Sequence, residues 1–421
     1  MEKKKFKICV LPSDRTGVSK FRSIDPHLYL QKMYPDEFWV DIVYEPPYEN
    51  DEFWKGYDLI HYHRQIGPNH EMSKMVARKL TKWGIPHIMD LDDHWLPGTE
   101  HPAYMMIKKN GIDKQIVENL KLAGHVTTTT EEFVNEIKKL NPNVSIYPNA
   151  IDHEEKQYIP NPTKSDKVRV GWLGGSSHIK DLEILNNVFG RLHSDRPGKF
   201  QTVLCGYDLR GTMTELDKAT GKEKNRPILP HESVWYKYEQ IFTNNYNMVD
   251  GDYKKELLDF KKKKISGDLD SPYRRVWTKP ITSYASSYDF FDVSIAPLKE
   301  HRFNRVKSQL KVIEAGFHKK ALIVQDYGPY RVDCINAFEK GGGINSEGNC
   351  LMVDTTKNHK QWYQHIRRLI DNPELVKDLG QKLYDTVYPK YALKTVTNTR
   401  VEFYRELIKK EFGVYPQNVL T

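Results

Sequence analysis

The sequence predicts an α/β protein whose chain forms two consecutive parallel-sheet halves. Short apolar runs recur with helical stretches between them, first over residues 6–147 and again over 167–324. Strands alternating with helices at that spacing give parallel sheets. A polar, proline-punctuated stretch at 159–166 separates the two series and reads as a linker. A length of 421 residues suits two or three domains.

The first half opens with a buried-strand run at 6–11, then a polar loop at 12–20 and a helix to about Met33. Residues 39–44 alternate like a strand, 57–62 form a second apolar run, and a helix at 73–83 leads to a strand at 86–91. Residues 125–129 and 144–147 complete the series around a helix at 131–140, where Thr129 and Glu132 have capping-box spacing. In the second half, strands are expected at 167–173, 200–205, 291–296 and 321–324. Residues 209–268 are rich in Lys, Asp, Glu and Asn, include Lys261–Lys264, and read as an insertion of helix and loop. The stretch from Trp362 to about Phe412 has a helical pattern.

Composition excludes several classes. Apolar residues at 38% and charged residues at 29% fit a globular chain with a core and argue against disorder. No window approaches the roughly 18–20 apolar residues of a membrane span, and the apolar run after the basic start is too short for a signal peptide. Cys9, Cys205, Cys334 and Cys350 lie far apart without CxxC or Cys/His pairing, so neither a disulfide scaffold nor a structural zinc is expected and a cytoplasmic setting is. The formal charge of +8 suits a phosphate-bearing ligand, an anionic membrane surface touched peripherally, or a nucleic acid, without choosing among them.

Ligands of open α/β sheets bind at the carboxyl ends of strands, and four such ends carry unusual residues. Gly174 and Gly175 follow a strand and would let a backbone approach a phosphate. The loop after Ala296 carries Arg302, Asn304, Arg305 and Lys307 into a helix expected to start near Ser308, a good N-cap. On that helix Lys311 and Glu314 share a face. Asp90-Leu-Asp-Asp-His94 gathers three carboxylates and an imidazole, candidates for a general base, a cation site or the positioning of sugar hydroxyls. Arg22 and Arg64 are candidates to bind an anionic group.

Together these residues resemble the GT-B glycosyltransferases, most closely glycosyltransferase family 4, in a divergent bacterial or phage-type branch. The loop with Gly17 is similar to that family's N-terminal donor-contact loop, and 147–152 to its passage into the linker. Residues 174–181, with His178, stand where the family has its glycine–arginine–lysine loop; Lys180 matches the lysine, and Gly175 replaces the arginine. Residues 304–314 resemble the donor-binding segment: Glu314 matches the second of two spaced glutamates, and Val306 stands where the first would be.

The resemblance implies two Rossmann-like domains facing across a cleft. Residues 1–160 plus about 395–421 would bind the acceptor, 161–394 would bind the donor, and the last helix would cross back to the first domain. It implies a hexosyltransferase that uses a nucleoside-diphosphate sugar as donor and a glycan, glycolipid or protein-linked sugar as acceptor. Retention of configuration is expected, with no cofactor and no essential divalent cation. Donor contacts fall on Gly17, Gly174, Gly175, His178, Lys180, Asn304, Lys307, Ser308, Lys311 and Glu314; acceptor contacts on Arg22 and Arg64; the chemistry on Asp92, Asp93 and His94. Two alternatives stand beside this reading. One is a transferase acting on hydroxylated DNA bases, with the basic insertion tracking phosphates. The other is a catalytically inactive nucleotide-sugar-binding protein, suggested by the missing first glutamate.

Overall fold

The structure, a computed structural model, describes residues 5–216, 223–243, 271–339 and 341–412. The run Lys261–Lys264 and most of the expected insertion lie outside the described residues. By its internal contacts the chain divides into two units. Unit 1 comprises residues up to 154, His301–Ile313 and 388 onward; unit 2 comprises Glu155–Glu300 and Glu314–Val387.

Unit 1 is built on six parallel strands: β1 (Phe6–Leu11), β2 (Phe38–Ile42), β3 (Leu59–His63), β4 (His87–Asp90), β5 (His125–Thr128) and β6 (Val144–Ile146). Their order is β2-β1-β3-β4-β5-β6. The chain leaves β1 to one side and returns on the other, so the topological switch point lies between β1 and β3, where ligands of such sheets bind. One face of the sheet packs Phe6, Ile8 and Val10 against Val401, Tyr404 and Ile408 of the helix Leu393–Phe412. The other packs Ile60, Tyr62 and Met89 against Val76, Leu80, Ile116 and Leu120. The helix His70–Lys82 starts where Asn69 caps it, its side chain accepting from Met72 N–H at 2.9 Å.

Unit 2 repeats the plan with β7 (Val168–Leu173), β8 (Phe200–Tyr207), β11 (Tyr273–Trp277), β12 (Val293–Ala296), β13 (Ala321–Gln325) and β14 (Leu351–Val353), all parallel, in the order β11-β8-β7-β12-β13-β14. Between β8 and β11 an antiparallel hairpin, β9 (Thr212–Leu216) and β10 (Glu223–Pro227), precedes the helix Val234–Thr243. That helix belongs to the core: Trp235, Tyr238 and Phe242 pack with Trp172, Phe189 and Tyr207. The switch point of this sheet lies between β7 and β12.

Three local expectations are corrected. The helix after β5 starts at Glu131 with Thr130, not Thr129, as its N-cap residue, and neither threonine makes a side-chain cap bond to it. The helix of the donor-segment motif starts at Leu310, because Gln309 supplies the first accepting carbonyl, to Val312 and Ile313 N–H. Stretch 159–166 is tied down rather than loose. Asn161 N–H donates to Asp289 Oδ1 at 2.9 Å, and Thr163 N–H to the Asp289 carbonyl at 3.0 Å.

Candidate functional site

In unit 1 the candidate residues collect at the carboxyl edge of the sheet, in two layers. The lower layer is a buried ion pair. A π-helical turn, Lys20–Ile24, brings Arg22 inward. Its Nε and Nη2 donate to the two oxygens of Asp90 at 2.8 Å each. Its Nη1 donates to the Tyr147 carbonyl at 2.6 Å and to Asn149 Oδ1 at 3.1 Å. Thr127 Oγ1 adds a third donor to Asp90 at 2.6 Å, and Asn149 Nδ2 donates in turn to Ser308 Oγ at 3.0 Å. Arg22 and Asp90 are 1% and 0% exposed. Arg22, expected to meet the acceptor, therefore braces the loops after β4 and β6 from below. Ser308, expected to cap a helix, holds Asn149 instead.

The upper layer carries the reactive groups. Asp92 accepts from His63 Nε2 at 2.9 Å and from Arg64 Nη2 at 3.3 Å. Burial pushes its pKa up, but the His63 hydrogen bond and the charges of Arg64 and Arg22 outweigh it and hold the carboxyl well below the ordinary range. Asp93 shifts the other way: burial and the Asp92 charge push it up, against Lys307 and Arg64. Arg64 sits 3.7 Å from Asp93 and adopts φ +62°, a left-handed conformation that crowds the Cβ of any residue but glycine against the backbone. That turn lays the guanidinium over both carboxylates. His94 is 5% exposed, stacks on Trp95 at 4.2 Å, and accepts Leu96 N–H at Nδ1 (3.0 Å). Burial and Arg302 push it down to about 4, so it is neutral, with Nε2 as its one unbonded ring atom among the described residues.

His63 was not singled out in the sequence, although it adjoins Arg64 at a strand end. It is 2% exposed, and its Nδ1 meets the hydroxyl of exposed Ser13 at 2.8 Å. Ser13 follows β1 and His63 ends β3, so this bond spans the switch point. Gly17 opens the short helix Gly17–Ser19 at the end of this loop, which Asp14 organises by accepting from the N–H and hydroxyl of Thr16 at 2.7 Å.

The three aspartates do not act together as a cation cage. Asp90 spends its oxygens on Arg22 and Thr127, and Asp92 turns to His63. Among the described residues no group of three His, Cys, Asp or Glu side chains is placed to hold a metal ion.

The expected donor residues fall into two sets. Asn304, Lys307, Ser308 and Lys311 belong, with Gly17, to unit 1, where Lys307 Nζ lies 5.0 Å over the Phe303 ring. Gly174, Gly175, His178, Lys180 and Glu314 belong to unit 2. Here the loop after β7 flanks the switch point. A Cβ on Gly174 would lie 2.4 Å from the Trp172 ring, whereas one on Gly175 would meet nothing within 4 Å. The Tyr238 hydroxyl pins the loop, accepting His178 N–H at 2.9 Å and donating to the Gly175 carbonyl at 3.2 Å. Asp181 fixes the His178 ring (Nδ1 at 2.9 Å) and accepts Lys299 N–H from the loop after β12 at 2.8 Å. Lys180 pairs with Glu183 at 3.0 Å. Glu314 is 3% exposed and accepts from the hydroxyls of Tyr284 and Tyr288.

No family model matches the chain, and no curated protein matches its sequence. Solved structures do resemble it. Sucrose-phosphate synthase from Thermosynechococcus elongatus is 14% identical with a TM-score of 0.58, over 96% of this chain and all of that one. Anabaena HepE, solved with UDP and glucose, is 11% identical with a TM-score of 0.58, over 95% of this chain and 100% of its own. A glycosyltransferase from Rickettsia africae is 13% identical with a TM-score of 0.56, over 96% and 99%. This likeness establishes the fold: the chain has the GT-B architecture of two Rossmann-like domains.

Proposed function

We propose that this protein transfers a sugar from a nucleoside-diphosphate sugar to an acceptor hydroxyl. The observation that carries the reading is the loop after β7. It sits at the switch point of unit 2, its backbone is fixed by Tyr238 and Asp181, and Gly175 leaves it open to close approach by a ligand. That is the arrangement a diphosphate needs, with Lys180 and His178 on the same loop; Glu314 would meet ribose hydroxyls only by exchanging them for those of Tyr284 and Tyr288. Anabaena HepE, solved in complex with UDP and with UDP-glucose, supports the same ligand class. Unit 1 would present the acceptor, a glycan or glycolipid hydroxyl, to the edge that holds Asp92, Asp93 and His94.

Departure of the nucleoside diphosphate leaves charge on its β-phosphate, and fixed positive groups there lower the barrier. The family likeness carries the further expectations of retention and of turnover without a divalent cation. The four cysteines are all buried as free thiols, which suits the reducing cytoplasm. No described helix is long and apolar enough to cross a membrane.

Calorimetric titration with UDP and UDP-glucose, followed by UDP release in the presence of glycan and glycolipid acceptors and chelator, tests the proposal. Binding and chelator-resistant release are expected, with the product anomer read by NMR. Failure of every nucleoside-diphosphate sugar to bind would sink it.

A further inference from the structure

We propose that Ser13, backed by His63 and Asp92, takes the proton from the attacking acceptor hydroxyl. The inference rests on the transferase reading and joins to its Asp92 two residues that the reading does not use, Ser13 and His63. Three strand ends supply the parts: Ser13 follows β1, His63 ends β3 and Asp92 follows β4. The hydrogen bonds are continuous, Ser13 Oγ to His63 Nδ1 at 2.8 Å and His63 Nε2 to Asp92 Oδ1 at 2.9 Å. Only the serine end is exposed; the imidazole is buried. An ionised Asp92 can only accept, so Nε2 carries the hydrogen and Nδ1 is left to accept from the serine hydroxyl.

The hydroxyl has a second resting place. Ser13 Oγ also lies 3.1 Å from Asp14 Oδ2. With His63 neutral, the serine donates to Nδ1. With His63 protonated, Nδ1–H donates to the serine, which turns its own hydrogen to Asp14. A histidine needed only for packing has no use for a two-position donor at its open end. The charged and titratable groups around the relay are Asp14 beside Ser13, His61 and Arg64 on either side of His63, Arg22 below, and Asp92 and Asp93 opposite.

In the step proposed, the acceptor's proton passes to Ser13 Oγ as the serine's own proton passes to His63 Nδ1. The acceptor oxygen's electron pair forms the bond to the anomeric carbon. The bond from that carbon to the β-phosphate oxygen breaks on the opposite face, and its pair leaves on the nucleoside diphosphate; the relay thus calls for inversion where the family likeness calls for retention, and a retained anomer in the product would overturn it. Asp92 stabilises the imidazolium until the proton returns through Ser13 to water.

Two measurements on the full chain test this. Two-bond proton–nitrogen correlation spectra of histidine-labelled protein, with His63 assigned by its loss in His63→Gln, should show a neutral Nε2–H tautomer. An Nδ1–H tautomer would overturn the relay whatever the activity. UDP release from UDP-glucose with a glycan acceptor should fall about 10²- to 10⁴-fold in Ser13→Ala and His63→Gln at unchanged UDP-glucose affinity. Ser13→Thr should keep most of it. His63→Gln should also erase the acid limb of the kcat–pH profile, which a structural role would not move. Ser13→Ala alters an exposed loop position and so decides the matter even if His63→Gln fails to fold. Wild-type turnover with the acid limb intact in Ser13→Ala would refute the proposal. UDP-glucose binding without transfer in the wild type would refute the transferase reading and the catalytic use of the relay with it, while leaving the tautomer result standing.

Discussion

Replacing Arg22 by Met should cost unit 1 about 3–5 kcal/mol, the typical price of breaking a buried ion pair from one side. The structure shows why the upper half of that range is appropriate. Four hydrogen bonds are lost at once: two to Asp90, one to the Tyr147 carbonyl and one to Asn149. Asp90, 0% exposed, is left with the Thr127 hydroxyl alone among the described residues. For a unit of about two hundred residues this lowers Tm by about 8–20 °C. Two units need not melt together, so calorimetry should be paired with hydrogen exchange of β4 and β5 to assign the transition. A second variant isolates the cause: Arg22→Met with Asp90→Leu removes both charges and should recover at least half of the loss. A Tm within about 3 °C of wild type for Arg22→Met would refute the bracing role. Equal destabilisation of single and double variants would show packing, not charge, to be responsible.

Other expectations are equally direct. Gly174→Ala should destabilise unit 2 by about 1–3 kcal/mol, because the new methyl strikes the buried Trp172 ring, while Gly175→Ala should stay within about 0.5 kcal/mol; chemical denaturation of the pair checks the contrast. His87 is buried and neutral, bonded to Thr81 Oγ1 at 3.0 Å, and burial pushes it down to about 4 from 6.5. Its contribution is therefore intact above about pH 6.5 and lost as pH falls towards 4, about 3 kcal/mol in all. His87→Gln should flatten the acid side of the stability–pH curve by that amount, and an unchanged curve would contradict the assignment. Glu314→Gln should weaken UDP-glucose by about 1–3 kcal/mol in a calorimetric titration if its carboxylate serves ribose hydroxyls; unchanged affinity would remove it from the donor set.

The fold was legible wherever a strand is continuously apolar. Phe6–Leu11 has the bounds its composition suggests, and β3, β4, β7 and β13 lie within a residue or two of theirs. Strand β11 was invisible to hydropathy because it buries two arginines. Arg275 is neutralised by Glu239 and Arg274 lies flat on Phe290 at 4.6 Å, partners that only the folded chain supplies. β14, three residues long, offers no periodicity to read. At the site, residue types were legible and pairings were not. Arg22 and Asp90 stood out separately, but they are 68 residues apart, and their union turns one from a ligand contact into a brace. His63 escaped notice because its significance lies in Ser13 and Asp92, one on each side of the sheet's switch point.

The packing of the helix Leu393–Phe412 against β1 also orders events at the ribosome. Phe6, Ile8 and Val10 are made well before Val401, Tyr404 and Ile408, which cover them and come about 390 residues later. At about 5–20 residues per second, that apolar face waits on the order of 20–80 s for its cover. Unit 2, whose segments end at Val387, is fully synthesised before unit 1. The unit that begins first therefore completes its core last, and during translation the apolar face of its first strands stays open to other nascent chains until that helix arrives.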